Sequence, residues 1–271
     1  MKRTFRAVTL TAVLAGMAAF MAACGGGDGG LDNELGLRVI NASPDAPPIN
    51  FLVDDVVFFP LDYKSGTRFT FLTPGSRKMG LEVILPGDDV LIEESMSLRA
   101  GREYTTIAVG KLGENGSSTL QILNIDNPIA AVPVGTTRVQ FVHAAPDTTA
   151  IDVYLTGLTD SLDAATPAYS LTGFRQVSAQ QDFLAETSRI RVTPAGDKAT
   201  VLFDSGAITL RSTINLLFVV VTNTGTGTAP ISLLTNDGTF GGEVLDVATP
   251  ADVRVYNVSP DLPALTATAE R

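Results

Sequence analysis

Leu37-Arg38-Val39-Ile40-Asn41-Ala42-Ser43-Pro44-Asp45 is an apolar run that ends on a turn signal, and the chain contains it three times. It returns as Val139-Gln140-Phe141-Val142-His143-Ala144-Ala145-Pro146-Asp147 and as Val253-Arg254-Val255-Tyr256-Asn257-Val258-Ser259-Pro260-Asp261. The prolines stand 102 and then 114 residues apart. Such spacing belongs to whole domains rather than to the short period of a solenoid. After the first two copies an alternating run follows at the same offset, Ile49-Asn50-Phe51-Leu52-Val53 and Ile151-Asp152-Val153-Tyr154-Leu155. Further on, Leu81-Glu82-Val83-Ile84-Leu85-Pro86-Gly87 parallels Ile190-Arg191-Val192-Thr193-Pro194-Ala195-Gly196. Two tandem copies of one domain explain this order.

The remaining elements are short β-branched runs between turn residues, the pattern of strands. In the first copy they fall at 90–98, 103–110 and 120–124, with Glu114-Asn115-Gly116 as a turn; in the second at 200–210, 214–222 and 231–234. Leu216-Leu217-Phe218-Val219-Val220-Val221 is apolar on both faces and reads as a central strand. Roughly seven strands per hundred residues, with no helical pattern after the N-terminal segment, predict an all-β chain. The expected architecture is two tandem immunoglobulin-like or transthyretin-like β-sandwich domains after a lipoprotein signal peptide. The stretch 127–135 reads as the connection between them. In order, the segments are a signal peptide at 1–23, an anchoring cysteine and tether at 24–35, a first repeat at 36–134, a second at 135–249, and a truncated third motif or tail at 250–271.

Composition narrows the partners. Of 271 residues 45% are apolar and 18% charged, which supplies enough core to exclude wholesale disorder. The formal charge is −10, and an acidic surface repels phosphate, so nucleic acid is not an expected partner. One Cys excludes a disulfide framework and a multi-cysteine metal site.

That cysteine also gives an address. Lys2, Arg3 and Arg6 form a positive N-terminal region, and residues 7–23 then carry no charge. The segment closes on Met21-Ala22-Ala23-Cys24, which resembles the lipobox of bacterial lipoproteins. The resemblance implies lipidation of Cys24, including a palmitate-type acyl chain, and cleavage just before it. Gly25-Gly26-Gly27-Asp28-Gly29-Gly30 follows as a flexible tether. Loss of the signal takes the formal charge from −10 to −13, so lipid rather than a basic patch would hold the protein to a membrane. Gly25 stands where an Asp commonly retains lipoproteins at the inner membrane, which favours the outer membrane of a Gram-negative cell.

The repeated motif followed by Ile-Asp-Val-Tyr resembles the opening of domain-of-unknown-function family 4397. That family occurs in bacterial envelope and secreted proteins, often in tandem and behind a lipobox. The first copy departs from it at Ile49-Asn50-Phe51-Leu52, and the third lacks everything after its turn. The family carries no established activity, so the resemblance implies an architecture and a location but no reaction.

The motif has a physical reading without a ligand. A residue before proline is driven to extended geometry, so Ser43 and Ala145 end strands, and Pro44-Asp45 and Pro146-Asp147 suit the centre of a turn. Asp45 and Asp147 are expected to accept nearby backbone N–H groups. Asn41, His143 and Asn257 share one position, which fits a structural hydrogen-bonding role, and Pro260-Asp261 repeat the turn. The alternative is a calcium site joining such an Asp to Asp54, Asp55 or Asp152, although no loop supplies six to eight oxygens. A catalytic His143 would need Asp147 or Asp152 as orienter and an unidentified Ser, and no Gly-x-Ser-x-Gly elbow is present. Asp54-Asp55, Asp88-Asp89 and Glu93-Glu94 read as solvated loop or strand charges rather than glycosidase pairs, and Gly225-Thr226-Gly227-Thr228 as a turn. Arg175, Arg189 and Arg191 are expected on the surface, where they could meet an anionic glycan. The functional expectation is therefore a non-enzymatic envelope binding or structural module without metal or cofactor, with an envelope protein or glycan as partner. A carbohydrate-active hydrolase using loop carboxylates is the alternative.

Overall fold

The computed structural model describes residues 35–83, 90–113, 116–239 and 241–251. The signal segment, Cys24, the Gly-rich tether, Asp88-Asp89 and the third motif with Asn257, Pro260 and Asp261 lie outside them. Among the described residues the regular structure is β, apart from one 3₁₀ turn at Gly116–Ser118.

The first repeat contributes β1 (Leu35–Ala42), β2 (Ile49–Val53), β3 (Val56–Leu61), β4 (Ser65–Gly66), β5 (Thr70–Leu72), β6 (Gly75–Val83), β7 (Val90–Leu98), β8 (Arg102–Val109) and β9 (Gln121–Pro128). The second contributes β10 (Thr136–His143), β11 (Ile151–Thr156), β12 (Tyr169–Leu171), β13 (Gln181–Leu184), β14 (Thr187–Pro194), β15 (Phe203–Thr209), β16 (Ile214–Thr222), β17 (Ile231–Asn236) and β18 (Gly241–Val244). Pro44 and Pro146 follow within three residues of the ends of β1 and β10, where their missing N–H would interrupt a ladder.

Each repeat is a β-sandwich. In the first, β1-β8-β9, with β4 and β5 both on the free side of β1, faces a sheet of order β3-β2-β6-β7. In the second, β13-β10-β16-β17-β18 faces β12-β11-β14-β15. The orders correspond except at two places: β4 is matched in the second repeat only by the isolated Val142–Val177 bridge, and among the described residues β18 has no counterpart in the first repeat. Both sandwiches contain the same parallel pair, β1 with β8 and β10 with β16. The first core gathers Val39, Ile49, Phe51, Leu81 and Val83, continued by Leu35, Leu37, Met79 and Tyr104. In the second, Phe141 stacks on Phe218 at 4.8 Å between ring centroids, and the buried Tyr169 hydroxyl donates to the Val139 carbonyl at 2.8 Å.

A third apolar cluster lies between the repeats. Ile40, Ala42, Ile107, Val109 and Ile125 of the first meet Val142, Ala144, Leu217, Val219, Val221 and Leu234 of the second. Strand alternation explains how one strand serves two cores. Phe218 and Val220 point into the sandwich, while Leu217, Val219 and Val221 point out of it and into this seam. The connection 129–135 therefore does not hold two beads apart, because the outer faces of two sheets are packed together.

The seam has approximate twofold symmetry. Ile40 pairs with Ile107 in one repeat as Val142 pairs with Val219 in the other, and Ile107 with Leu123 as Val219 with Leu234. Arg38 on β1 reaches Asn236 on β17, and Asn127 on β9 reaches Gln140 on β10. Thus the β1-type strand of each repeat meets the β9-type strand of the other, the reciprocity of an isologous interface.

Candidate functional site

Asn41 and His143 are fully buried at the ends of β1 and β10. The Asn41 side chain donates to the Leu61 carbonyl at 3.0 Å and accepts the Ser43 N–H at 3.0 Å. His143 Nε2 lies 2.8 Å from the Thr149 carbonyl, so this nitrogen carries the proton and donates. Burial pushes the imidazole below its ordinary pKa of 6.5, which keeps it neutral. Both side chains tie a strand end to the chain that follows or flanks it.

The turn after β10 closes through the Thr148 N–H on the Ala145 carbonyl at 3.2 Å, with Pro146-Asp147 at its centre. The motif aspartates, however, do not satisfy local backbone donors. Asp45 accepts the Leu112 N–H at 2.9 Å, across 67 residues, and Asp147 pairs with Lys111 at 2.6 Å, on the other repeat. Both carboxylates converge on one segment because Gly110, with φ +94°, turns the chain back sharply after β8. A Cβ at Gly110 would lie 2.2 Å from the Thr119 carbonyl oxygen, so only glycine fits.

The other charged candidates are engaged as well. Asp54 and Asp55 form a two-residue hairpin with φ 52° and 66°; Asp54 accepts Lys78 N–H and an Arg77 guanidinium N–H, and Asp55 pairs with Lys78. Glu93 pairs with Lys78 on the outer face, whereas Glu94 accepts from Asn124 on the inner one. Asp152 is buried, accepting Ser170 Oγ–H at 2.5 Å and Gly196 N–H at 2.8 Å. Among the described residues, no three His, Cys, Asp or Glu side chains gather where a metal ion would sit. The Thr226-Gly227 turn is held by Asn223, whose amide donates to the Thr226 and Ala229 carbonyls.

The expectation of three surface arginines needs correction. Arg191 is buried and donates to Thr156 Oγ1 and the Asp160 carbonyl, both at 2.8 Å. Arg189 forms a fork with Asp204. The cause is the long β11–β12 connection, 157–168, which covers the outer face of this sheet where the first repeat has only the Asp54-Asp55 hairpin. Alternation sets Arg189 and Arg191 on this same face of β14, and they donate to the Leu158 and Asp160 carbonyls of the connection. Only Arg175 stays exposed, 5.9 Å from the Phe174 ring centroid and donating to Gln121 Oε1 at 2.5 Å.

Two grooves border the seam. On one side a groove of about 650 Å³ runs between Phe69-Thr70-Phe71 and Asp237-Gly238-Thr239, with Glu103 and Asn215 at its base. Beneath it Arg38 is buried, its guanidinium 4.6 Å from the Phe69 centroid and bonded to Thr105 Oγ1 and to Asn236 Oδ1 and O. Burial lowers the Arg38 pKa to about 10, with Glu103 and Asp237 opposing that, so it remains a cation at neutral pH. Burial likewise raises the Glu103 carboxyl, against the Arg38 charge and the Asn215 hydrogen bond. On the opposite side a groove of about 580 Å³ is lined by Ile122, Leu123, Thr172, Phe174 and Arg175. These surfaces offer stacking and hydrogen bonding. His143 is not part of either lining, and it has no carboxylate orienter.

One repeated element escaped sequence reading. Tyr63-Lys64-Ser65-Gly66-Thr67 corresponds to Phe174-Arg175-Gln176-Val177-Ser178. Lys64 and Arg175 are both left-handed, and their N–H groups donate to the Asn41 and His143 carbonyls. Thr67 Oγ1 and Ser178 Oγ accept the Val39 and Phe141 N–H groups. An aromatic-basic-x-x-hydroxyl match in both copies was the available signal.

No curated protein matches the chain. A family model described as a domain of unknown function (DUF4397) matches residues 36–154. That span starts within β1, just before the first copy of the motif, and ends within β11, after the second. Over residues 36–154 the chain resembles the DUF4397 family of domains.

Proposed function

We propose that this chain is a lipid-anchored cell-envelope protein whose two repeats form a non-enzymatic binding or structural platform, held at the outer membrane through Cys24. The charged, apolar, small-residue and cysteine order of residues 2–24 supports the anchor. One observation carries the platform reading. The motif residues with chemical potential, Asn41, Asp45, His143 and Asp147, are all engaged in intramolecular bonds, while both seam grooves stay open to solvent. An envelope protein or glycan is the proposed partner class.

Two measurements test this. Labelled fatty acid enters the wild type and not Cys24→Ala; equal labelling of both removes the anchor. Residues 25–271, screened on glycosidase, esterase and peptidase substrates, show no turnover. Turnover that disappears when one Asp or Glu is replaced, with folding intact, makes the protein a hydrolase instead.

A further inference from the structure

The near-twofold seam is incomplete on one side. In the second repeat, β18 covers the outer edge of β17, pairing Val244 with Leu233, Glu243 with Leu234, Gly242 with Thr235 and Gly241 with Asn236. Under this cover Leu233 and Leu234 are buried. Glu243 is held at 2.5 Å by Lys64, which reaches it from the other repeat, and at 2.6 Å by Ser232 Oγ–H.

In the first repeat the corresponding strand is β9. It ends its sheet, and among the described residues nothing pairs with its outer edge. Register makes Ile122 and Leu123 the counterparts of Leu233 and Leu234, yet both remain only half-buried. Beside them lies the 580 Å³ groove with Arg175 on its rim. Arg175 is the counterpart of Lys64: the two share a left-handed φ (71° and 64°) and donate at 2.7 and 2.9 Å to the equivalent carbonyls of His143 and Asn41. Among the described residues, one side of the seam therefore has strand, acid and cation, and the other has the cation and a strand edge with no pairing partner. The far end of β9 is closed to pairing by Pro128 and by Asp126, which bonds Arg99 and Arg102. Gln121 to Ile125 is left, enough for a strand the length of β18.

The geometry points to the outer edge of β9 as a docking site for an extended segment of a partner protein, added antiparallel as a further strand. The segment carries two small residues opposite Ile125 and Asn124, an acidic residue opposite Leu123 within reach of Arg175, and a β-branched residue opposite Ile122. Main-chain bonds give affinity in such an addition, and the alternate side chains and the ion pair set register. This inference rests on the binding reading above and names its partner class.

The test titrates residues 25–271 with a fluorescent peptide of sequence Thr-Phe-Gly-Gly-Glu-Val-Leu-Asp, that of residues 239–246. The expected result is saturable binding with slowed amide exchange at 121–125. Arg175→Glu weakens binding at least tenfold, and a peptide with Glu243→Lys restores it. No saturable binding, indifference to Arg175→Glu, or protection elsewhere overturns the inference. So does concentration-dependent dimerisation of the peptide-free protein through β9, which would make a second copy the occupant. Capture of an envelope partner by crosslinking, unaffected by Arg175→Glu, would leave the binding reading standing while removing this site. Substrate turnover would remove the binding reading itself.

Discussion

Replacing Ile107 by Ala tests whether the seam makes one folding unit of the two repeats. Ile107 is fully buried in the seam cluster, between Ile40 and Leu123 in its own sheet. The substitution removes three carbons, worth about 0.8 kcal/mol each, or roughly 2.4 kcal/mol of transfer free energy. The opposing sheet is itself packed, so the site collapses incompletely and a cavity cost brings the total to about 3–4 kcal/mol. At roughly 2–4 °C per kcal/mol for a body of this size, the melting temperature falls by about 10 °C. Thermal and urea unfolding followed by circular dichroism check this, and the loss is expected in a single shared transition. Val219→Ala, at the related position across the seam, removes two carbons and should lower the same transition by about two-thirds as much. A shift under about 2 °C would refute the reasoning. So would two transitions, one moved by Ile107→Ala and the other unmoved.

Further outcomes follow from the site geometry. His143 is buried neutral, with a folded pKa below the ordinary 6.5, so the unfolded chain binds its proton more readily; stability is full above about pH 6.5 and declines as pH falls through the folded pKa. His143→Asn, which installs the residue of the Asn41 position, should stay folded at pH 8 and remove this part of the acid dependence, as read by urea midpoints from pH 8 to 5. Arg38→Met leaves Thr105 Oγ1, Asn236 Oδ1 and the Asn236 carbonyl without their donor and removes the Arg38 charge that opposes the raised Glu103 carboxyl. It should cost about 3–5 kcal/mol by urea unfolding. Asp45→Ala removes a solvent-exposed acceptor of the Leu112 N–H and Asp147→Ala an exposed ion pair, so each should cost no more than about 1 kcal/mol by parallel melts.

Much of the sandwich was legible because its signals are local. The copies announced themselves through Pro44 and Pro146, and β-branched or apolar runs between turn residues located strands such as β7 and β16 at their observed bounds. The seam was legible only in part. The apolar run at 216–221 reads correctly as a strand buried on both faces, but sequence cannot say that the second face meets another sheet rather than a covering helix. The same double burial holds for β1, where Val39 serves the sandwich and Ile40 the seam. Turn chemistry favours local partners for Asp45 and Asp147, and a long-range contact to residues 111–112 leaves no trace in spacing. Arg189 and Arg191 read as surface charges for a related reason. Strand alternation puts them on the outer face, and nothing local reveals that 157–168 folds over it. The β9 edge was invisible, since an unpaired strand is defined by what does not flank it.

The most direct measurement is native-state hydrogen exchange on residues 25–271 at the central strands, comparing Ile107–Val109 of β8 with Val219–Val221 of β16. If the seam joins the repeats into one cooperative body, these amides exchange only through global unfolding, with equal opening free energies that fall together in Ile107→Ala. Opening free energies that differ by several kcal/mol between β8 and β16, with only the β8 value responding to Ile107→Ala, would contradict it.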